Sequence, residues 1–148
     1  MALIAALLAT LAAGLFTGAA VYITFVEHPA RVSCGSVLAV TEFGPSYKRA
    51  AVMQALLAVI GAGAGIARWG AGGGLGWLVS SVVLGAVVPF TLFVILPTNH
   101  CLLDPSLDKA SPEAEALLAR WGRLHAVRSA LSFMAFASFL ILLVKGRP

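Results

Sequence analysis

Residues 2–26 hold no charged side chain, and an apolar run of that length is long enough to cross the hydrocarbon of a bilayer as one helix. Two more uncharged stretches follow, 50–67 and about 75–96, and a fourth apolar stretch ends near Lys145. The composition agrees: 60% of the 148 residues are hydrophobic and 11% charged, against about 45–50% and about 25% in soluble domains. A water-soluble enzyme, a disordered tail and a nucleic-acid-binding domain are excluded on these grounds. The net charge of +4 does not argue for nucleic acid, because the basic residues sit at the ends of apolar stretches, where they orient and anchor membrane helices. The opening MALIAALLATLAAG lacks the basic start of a signal peptide and continues past Ala20, so it reads as a retained helix.

The pattern predicts an all-α integral membrane four-helix bundle with up-down-up-down topology. It forms one domain over 1–148, with spans at about 3–26, 48–67, 75–96 and 121–144. Glu27-His28-Pro29 should close the first span, since proline has no N–H and restricts the residue before it. A polar loop is expected from Arg31 to Arg49, with Gly35, Gly44 and Pro45 as breakers, and a turn at the glycine run 70–76. The third helix should kink at Pro89 and end at Pro97. Ser111 should cap the fourth, with Pro112 at its first position and Glu113 and Glu115 facing the helix dipole. Gly14/Gly18 and Gly61/Gly65 are small-xxx-small pairs suited to close helix packing.

In that topology one membrane face receives Glu27, His28, Arg31, Tyr47, Gln54, Asn99, His100, His125 and Arg128, including all three histidines of the chain. The opposite face receives Arg68, the glycine turn, Lys145 and Arg147. Trp121, His125, Arg128 and Ser132 recur at helical spacing on one stripe of the fourth helix, and Thr17, Thr24 and His28 on one stripe of the first. Each residue has an ordinary interfacial role on its own. Arg128 could be an anchor, Glu27 a helix-end partner of Arg31, and Trp121 and Tyr47 belt aromatics. Their convergence on one face points to a site.

Two chemistries suit that set. His28, His125 and Glu27 supply ligand types for copper or non-haem iron, although no HxH or HxxxH pair is present. Without metal, a histidine can take a proton from an activated carbon or phenol while an arginine stabilises the anion. A site set in lipid suits a flat, apolar substrate. A non-enzymatic packing, lipid-binding or transport subunit with a polar partner-binding face is the alternative, and it would place these residues on a surface instead of around a pocket. Thiol redox between Cys34 and Cys101 is a third reading, carried only by their shared face.

The motifs Gly14-xxx-Gly18, Val26-Glu27-His28-Pro29-Ala30-Arg31, Pro97-Thr98-Asn99 and Arg120-Trp121-xxx-His125-xx-Arg128 together resemble the anthrone oxygenase-like family of small four-helix membrane proteins. The resemblance covers essentially the whole chain. It implies oxidation of an anthrone-type aromatic by molecular oxygen with no evident organic cofactor, and a site made of Glu27, His28, Asn99, His125 and Arg128. His125 or His28 would be the base, Arg128 the partner of the anion, Asn99 the group that orients a carbonyl, and Glu27 the group that fixes a histidine tautomer. Trp121, Tyr47, Gln54 and Thr24 would contact substrate. His100 lies just beyond the Pro-Thr-Asn motif and receives no role. The expected partners are the bilayer, a small aromatic substrate and oxygen, with no nucleic acid and with oligomerisation left open. Basic residues concentrate on the site's side, which places that side in the cytoplasm and the chain in the cell membrane.

Overall fold

A computed structural model describes residues 1–146. The described chain is all helix and turn, built on four helices long and apolar enough to cross a membrane: α1 (Ala2–Ser33), α2 (Ser36–Gly73), α3 (Leu75–Leu103) and α4 (Pro112–Lys145). In cross-section they form a square. α1 packs on α2 and α4, α3 packs on the same two, and α1 and α3 stand on opposite corners. Leucines, valines and phenylalanines cover the outside, as bilayer solvent requires, and Phe25, Phe93 and Leu3 are among the most exposed. The inside is lined with alanine, glycine and serine, so the backbones approach closely. A Cβ added at Gly61 would fall 2.7 Å from Leu84, and one at Gly14 would fall 2.9 Å from Phe136. Gly65 is packed against Ser81 and Phe139, whereas Gly18 faces open space.

The helices reach further than the breakers in the sequence indicate. α1 runs through Pro29 to Ser33, and α3 runs through Pro97 to Leu103. Both prolines are absorbed the same way, by a single wide turn placed just ahead of them. Ile23–Glu27 and Thr91–Ile95 are π-helical; the His28 amide donates to the Ile23 carbonyl, and the Leu96 amide to that of Thr91. Widening the turn relieves the contact between the proline ring and the preceding turn's carbonyl, so the helix bends and continues. The two segments also match in sequence, Phe-Val-x-x-Pro-x-Arg ending at Arg31 and Phe-Val-x-x-Pro-x-Asn ending at Asn99. Phe25 and Phe93 point outward, Arg31 and Asn99 inward.

The expected loop over 31–49 is corrected more sharply. Only Cys34 and Gly35 break the chain there, and Ser36–Arg68 is one helix with Pro45 inside it. Gly35 takes φ 92°, which glycine accepts without strain, and lets the chain reverse between α1 and α2. At the other end Gly72 and Gly74, with φ 84° and 82°, make the expected turn into α3. α4 begins as its sequence predicts: the Ser111 hydroxyl accepts the Ala114 amide at 3.2 Å, with Pro112 first and two glutamates in the opening turn. In the connector before it the Ser106 amide and hydroxyl bond the Asp104 carboxylate and hold its pKa below the ordinary value. Lys145 ends α4; Arg147, one of the basic residues assigned to the opposite face, lies outside the described residues.

Candidate functional site

Between the four helices, at the end where both wide turns lie, is a cavity of about 170 Å³. α4 contributes Trp121, His125 and Arg128, and α1 contributes Phe16, Ile23, Glu27 and Arg31. α2 lines it with Phe43, Ser46, Tyr47 and Gln54 and with a run of alanines at 50, 51, 55 and 58; α3 adds Val87, Val88, Thr91, Leu92, Ile95 and Asn99. The walls are mainly apolar, and four of the polar groups are enclosed. Asn99 is 1% exposed, Gln54 2%, His125 2% and Arg128 9%. These residues surround a pocket and do not form an outward-facing patch.

The hydrogen bonds of His125 define its orientation. Its Nδ1 lies 3.0 Å from the Thr24 hydroxyl, which itself donates to the Ala20 carbonyl at 2.9 Å. Ser129, also on α4, lies 2.8 Å from the same Thr24 oxygen and 3.0 Å from the His125 carbonyl. With the Thr24 proton given to the Ala20 carbonyl, the Thr24 oxygen accepts from the Ser129 hydroxyl and from the imidazole N–H. Nδ1 is then the N–H and Nε2 carries the free lone pair, an assignment that rests on the network. The Trp121 ring stacks on the His125 imidazole at 4.6 Å and meets Phe43 edge-on at 5.4 Å.

Arg128 lies over the Phe16 ring, 5.3 Å from its centroid, and has no carboxylate partner among the described residues. Its Nε is buried without a hydrogen bond within the protein, as are both amide atoms of Asn99, Gln54 Nε2 and Trp121 Nε1. An uncompensated guanidinium out of water costs several kcal/mol. The cavity therefore presents a fixed positive charge and several unused hydrogen-bonding groups to whatever fills it.

Glu27 and Arg31 form an ion pair that closes the end of the cavity. Arg31 also reaches Glu42 at 2.9 Å, and the Ser46 hydroxyl donates to Glu27 at 2.8 Å. Glu27 is thus committed to Arg31 and Ser46, and Thr24, not Glu27, holds the His125 tautomer. Thr24 touches His125 instead of the cavity.

His28 is separated from the rest. It packs against Trp121, with ring centroids 5.0 Å apart, and lines a separate pocket with Glu115 and Leu118. Gly122 lets it sit against α4, since a Cβ there would come 2.6 Å from its Nε2. Glu27, His28 and His125 consequently do not converge on one point, and among the described residues no three His, Cys, Asp or Glu side chains form a metal-holding group. His100 is exposed, and Cys34 and Cys101 are exposed free thiols.

Of the residues singled out from sequence, the cavity brings together Glu27, Arg31, Tyr47, Gln54, Asn99, Trp121, His125 and Arg128. Phe16, Phe43, Ser46 and Ser129 were not anticipated. Phe43, Tyr47 and Gln54 share one stripe of α2, a signal hidden by reading 31–49 as loop.

Comparison with known proteins gives the family. The anthrone oxygenase family model matches residues 43–138, a stretch that carries most of the cavity on α2, α3 and α4. The anthrone oxygenase tpcL of Aspergillus fumigatus is 39% identical over 66 residues, which is 43% of this chain and 41% of that protein. The chain therefore aligns with less than half the length of that relative. No solved structure matches it. On the family match, which covers well over half of its length, this chain belongs to the anthrone oxygenase family.

Proposed function

We propose that the chain is a membrane-embedded oxygenase that converts an acidic diaryl methylene of anthrone type into the ketone. The observation that carries this reading is the pairing, inside one apolar cavity, of His125 with a buried Arg128 that has no carboxylate partner among the described residues. His125 Nε2 takes the methylene proton, and the resulting enolate oxygen pairs with Arg128 while Asn99 and Gln54 bond the other oxygens of the ring system. The electron-rich anion then reacts with molecular oxygen. One methylene and one O₂ become one ketone and one water, so four electrons leave the carbon and four enter oxygen. Trp121, Phe43 and Tyr47 supply flat apolar walls for the rings.

Enclosure favours this reading over a packing, transport or lipid-binding subunit, because the polar groups that a partner would need to touch are almost wholly buried. The base is His125 and not His28, which lines a separate pocket. The site end carries Arg31, Lys48, Arg49, Lys109, Arg120 and Arg123, against Arg68 and Lys145 at the other end of the described chain. That bias supports a cell-membrane protein with its site toward the cytoplasm.

The test is oxygen uptake by the purified protein with an anthrone, with copper and iron measured in the same sample. Stoichiometric conversion that is lost in His125→Ala supports the reading. An unchanged rate in that variant removes His125 from it, and a rate that tracks copper or iron content replaces base catalysis with metal-assisted oxygen activation.

A further inference from the structure

The cavity is walled by buried side chains on its α1 side, where Phe16 and Ile23 are 2% and 8% exposed. At its aqueous end Arg31, 7% exposed, ties Glu27 to Glu42. Between α1 and α4 the Thr24–His125–Ser129 hydrogen bonds and the Trp121 ring fill the seam. Toward α4, the α3 residues Val87 and Ile95 are 2% and 1% exposed. Glu27, Ser46, Tyr47 and Ala50 are half-buried at the aqueous end, and within the apolar spans the lining residues that reach the outer surface are on α2 and α3: Ala55 and Leu92 are exposed, and Ala51, Val88 and Thr91 are half-buried.

These two helices touch on either side of that place. On one side a Cβ at Gly61 would lie 2.7 Å from Leu84 and one at Gly85 would lie 3.7 Å from Ala62; on the other, one at Gly44 would lie 3.4 Å from Leu103. Between the contacts, α2 offers only alanine side chains at 51 and 55, while α3 swells into its wide turn at Thr91–Ile95. The gap lies within the uncharged stretches 50–67 and 75–96, so it opens on acyl chains and not on water.

We propose that the gap between α2 and α3 is a lateral window through which flat apolar aromatics pass between the bilayer and the cavity. The cavity's size fits this role. An apolar cavity of about 150 Å³ takes one benzene ring, so about 170 Å³ encloses one ring of a fused system and the others extend toward the window. The window rests on reading the cavity as an aromatic-binding site and does not depend on the oxidation chemistry.

The test uses full-length protein in lipid nanodiscs with Cys34→Ser and Cys101→Ser and a single thiol inside the cavity, Ala58→Cys. Apolar N-phenylmaleimide is expected to alkylate this thiol at least tenfold faster than a sulfonated maleimide of similar size. Ala51→Trp and Ala55→Trp should each slow the apolar reagent about fivefold or more, whereas Leu56→Trp, exposed and about 100° round the helix from Ala55, should leave its rate unchanged. Labelling after denaturation gives total thiol in every variant. Equal rates for the charged and apolar reagents, or rim variants that behave like Leu56→Trp, overturn the window. N-phenylmaleimide has no acidic oxygen, so its labelling succeeds or fails separately from oxygen uptake with an anthrone.

Discussion

The Thr24 hydroxyl on α1 lies 3.0 Å from Nδ1 of His125 on α4, and its own proton goes to the Ala20 carbonyl at 2.9 Å. An imidazole held this way donates from Nδ1 and keeps Nε2 unprotonated toward the cavity. Thr24→Val keeps the shape and removes the near acceptor, which leaves the Nδ1 proton only the Ser129 hydroxyl at 3.5 Å, at a cost of about 1–3 kcal/mol. The ring then favours the other tautomer, which cannot act as base. Anthrone oxidation should fall about 10- to 100-fold in kcat with little change in KM, and Thr24→Ser should restore it. Nitrogen NMR of labelled histidine should show the tautomer change in Thr24→Val. An unchanged spectrum with lowered activity would place the effect of Thr24 elsewhere.

Arg128 separates binding from stability. A hydrogen bond to a charged group contributes about 1.5–3 kcal/mol, so Arg128→Gln should weaken binding of 1,8-dihydroxyanthraquinone about tenfold or more. Anthracene, which has no oxygen, should bind the variant and the parent alike. The same substitution removes a buried charge that has no carboxylate partner among the described residues, so the ligand-free variant should melt at a higher temperature than the parent. A lower melting temperature would mean that Arg128 holds the bundle together and is not reserved for a ligand.

Much of this arrangement is legible in the sequence because a bilayer simplifies the folding problem. Uncharged stretches fix the number of crossings, and alternating direction brings the end of α1, the start of α2, the end of α3 and the start of α4 to one face. The stripe Trp121–His125–Arg128 needs only helical spacing, and all three residues line the cavity. The helix ends were not legible at the prolines. Pro29, Pro45 and Pro97 read as terminators by local geometry, yet α1 and α3 continue past theirs by widening one turn, and Pro45 is carried within α2. His28 was misplaced for a related reason. Proximity along the chain puts it beside Glu27, but neighbouring helical residues point in different directions, and His28 lines a separate pocket while Glu27 and His125 line the cavity.

The wide turn before Pro97 sets where Asn99 points. Pro97→Ala restores a donor at that position and lets Thr91–Ile95 regularise. Removing one residue from the turn rotates the downstream end of α3 by about 100° relative to its upstream part. Asn99, 1% exposed and with both amide atoms unpartnered, should then leave the cavity. Anthrone oxidation should drop while the melting temperature stays level or rises. Parent-like activity would show that the proline does not position Asn99.

Arg31 holds two carboxylates, so its removal should cost more than removal of either partner. Arg31→Ala leaves Glu27 and Glu42 without their shared cation, at an expected cost of about 2–3 kcal/mol. Adding Glu27→Gln should recover part of it, since one stranded charge is then neutral. Thermal unfolding of the two single variants and the double variant gives the coupling directly. Strictly additive losses would mean that the pair contributes through packing alone.

The far half of the bundle should respond to volume and not to charge. Gly65 on α2 lies against the Ser81 hydroxyl of α3 and the Phe139 ring of α4, so one methyl group there meets two helices at once. The Ser81 hydroxyl already donates to the Trp77 carbonyl at 2.7 Å, and Phe139 is fully buried and stacked on Trp77, so neither can step aside freely. Gly65→Ala should therefore destabilise the protein by about 1–3 kcal/mol. Gly18→Ala, with nothing within 4 Å of the added carbon, should be close to neutral. Both substitutions lie away from the cavity-lining residues, so oxygen uptake per folded molecule should match the parent in each. Equal melting temperatures for the two variants would show that α2 does not pack through Gly65.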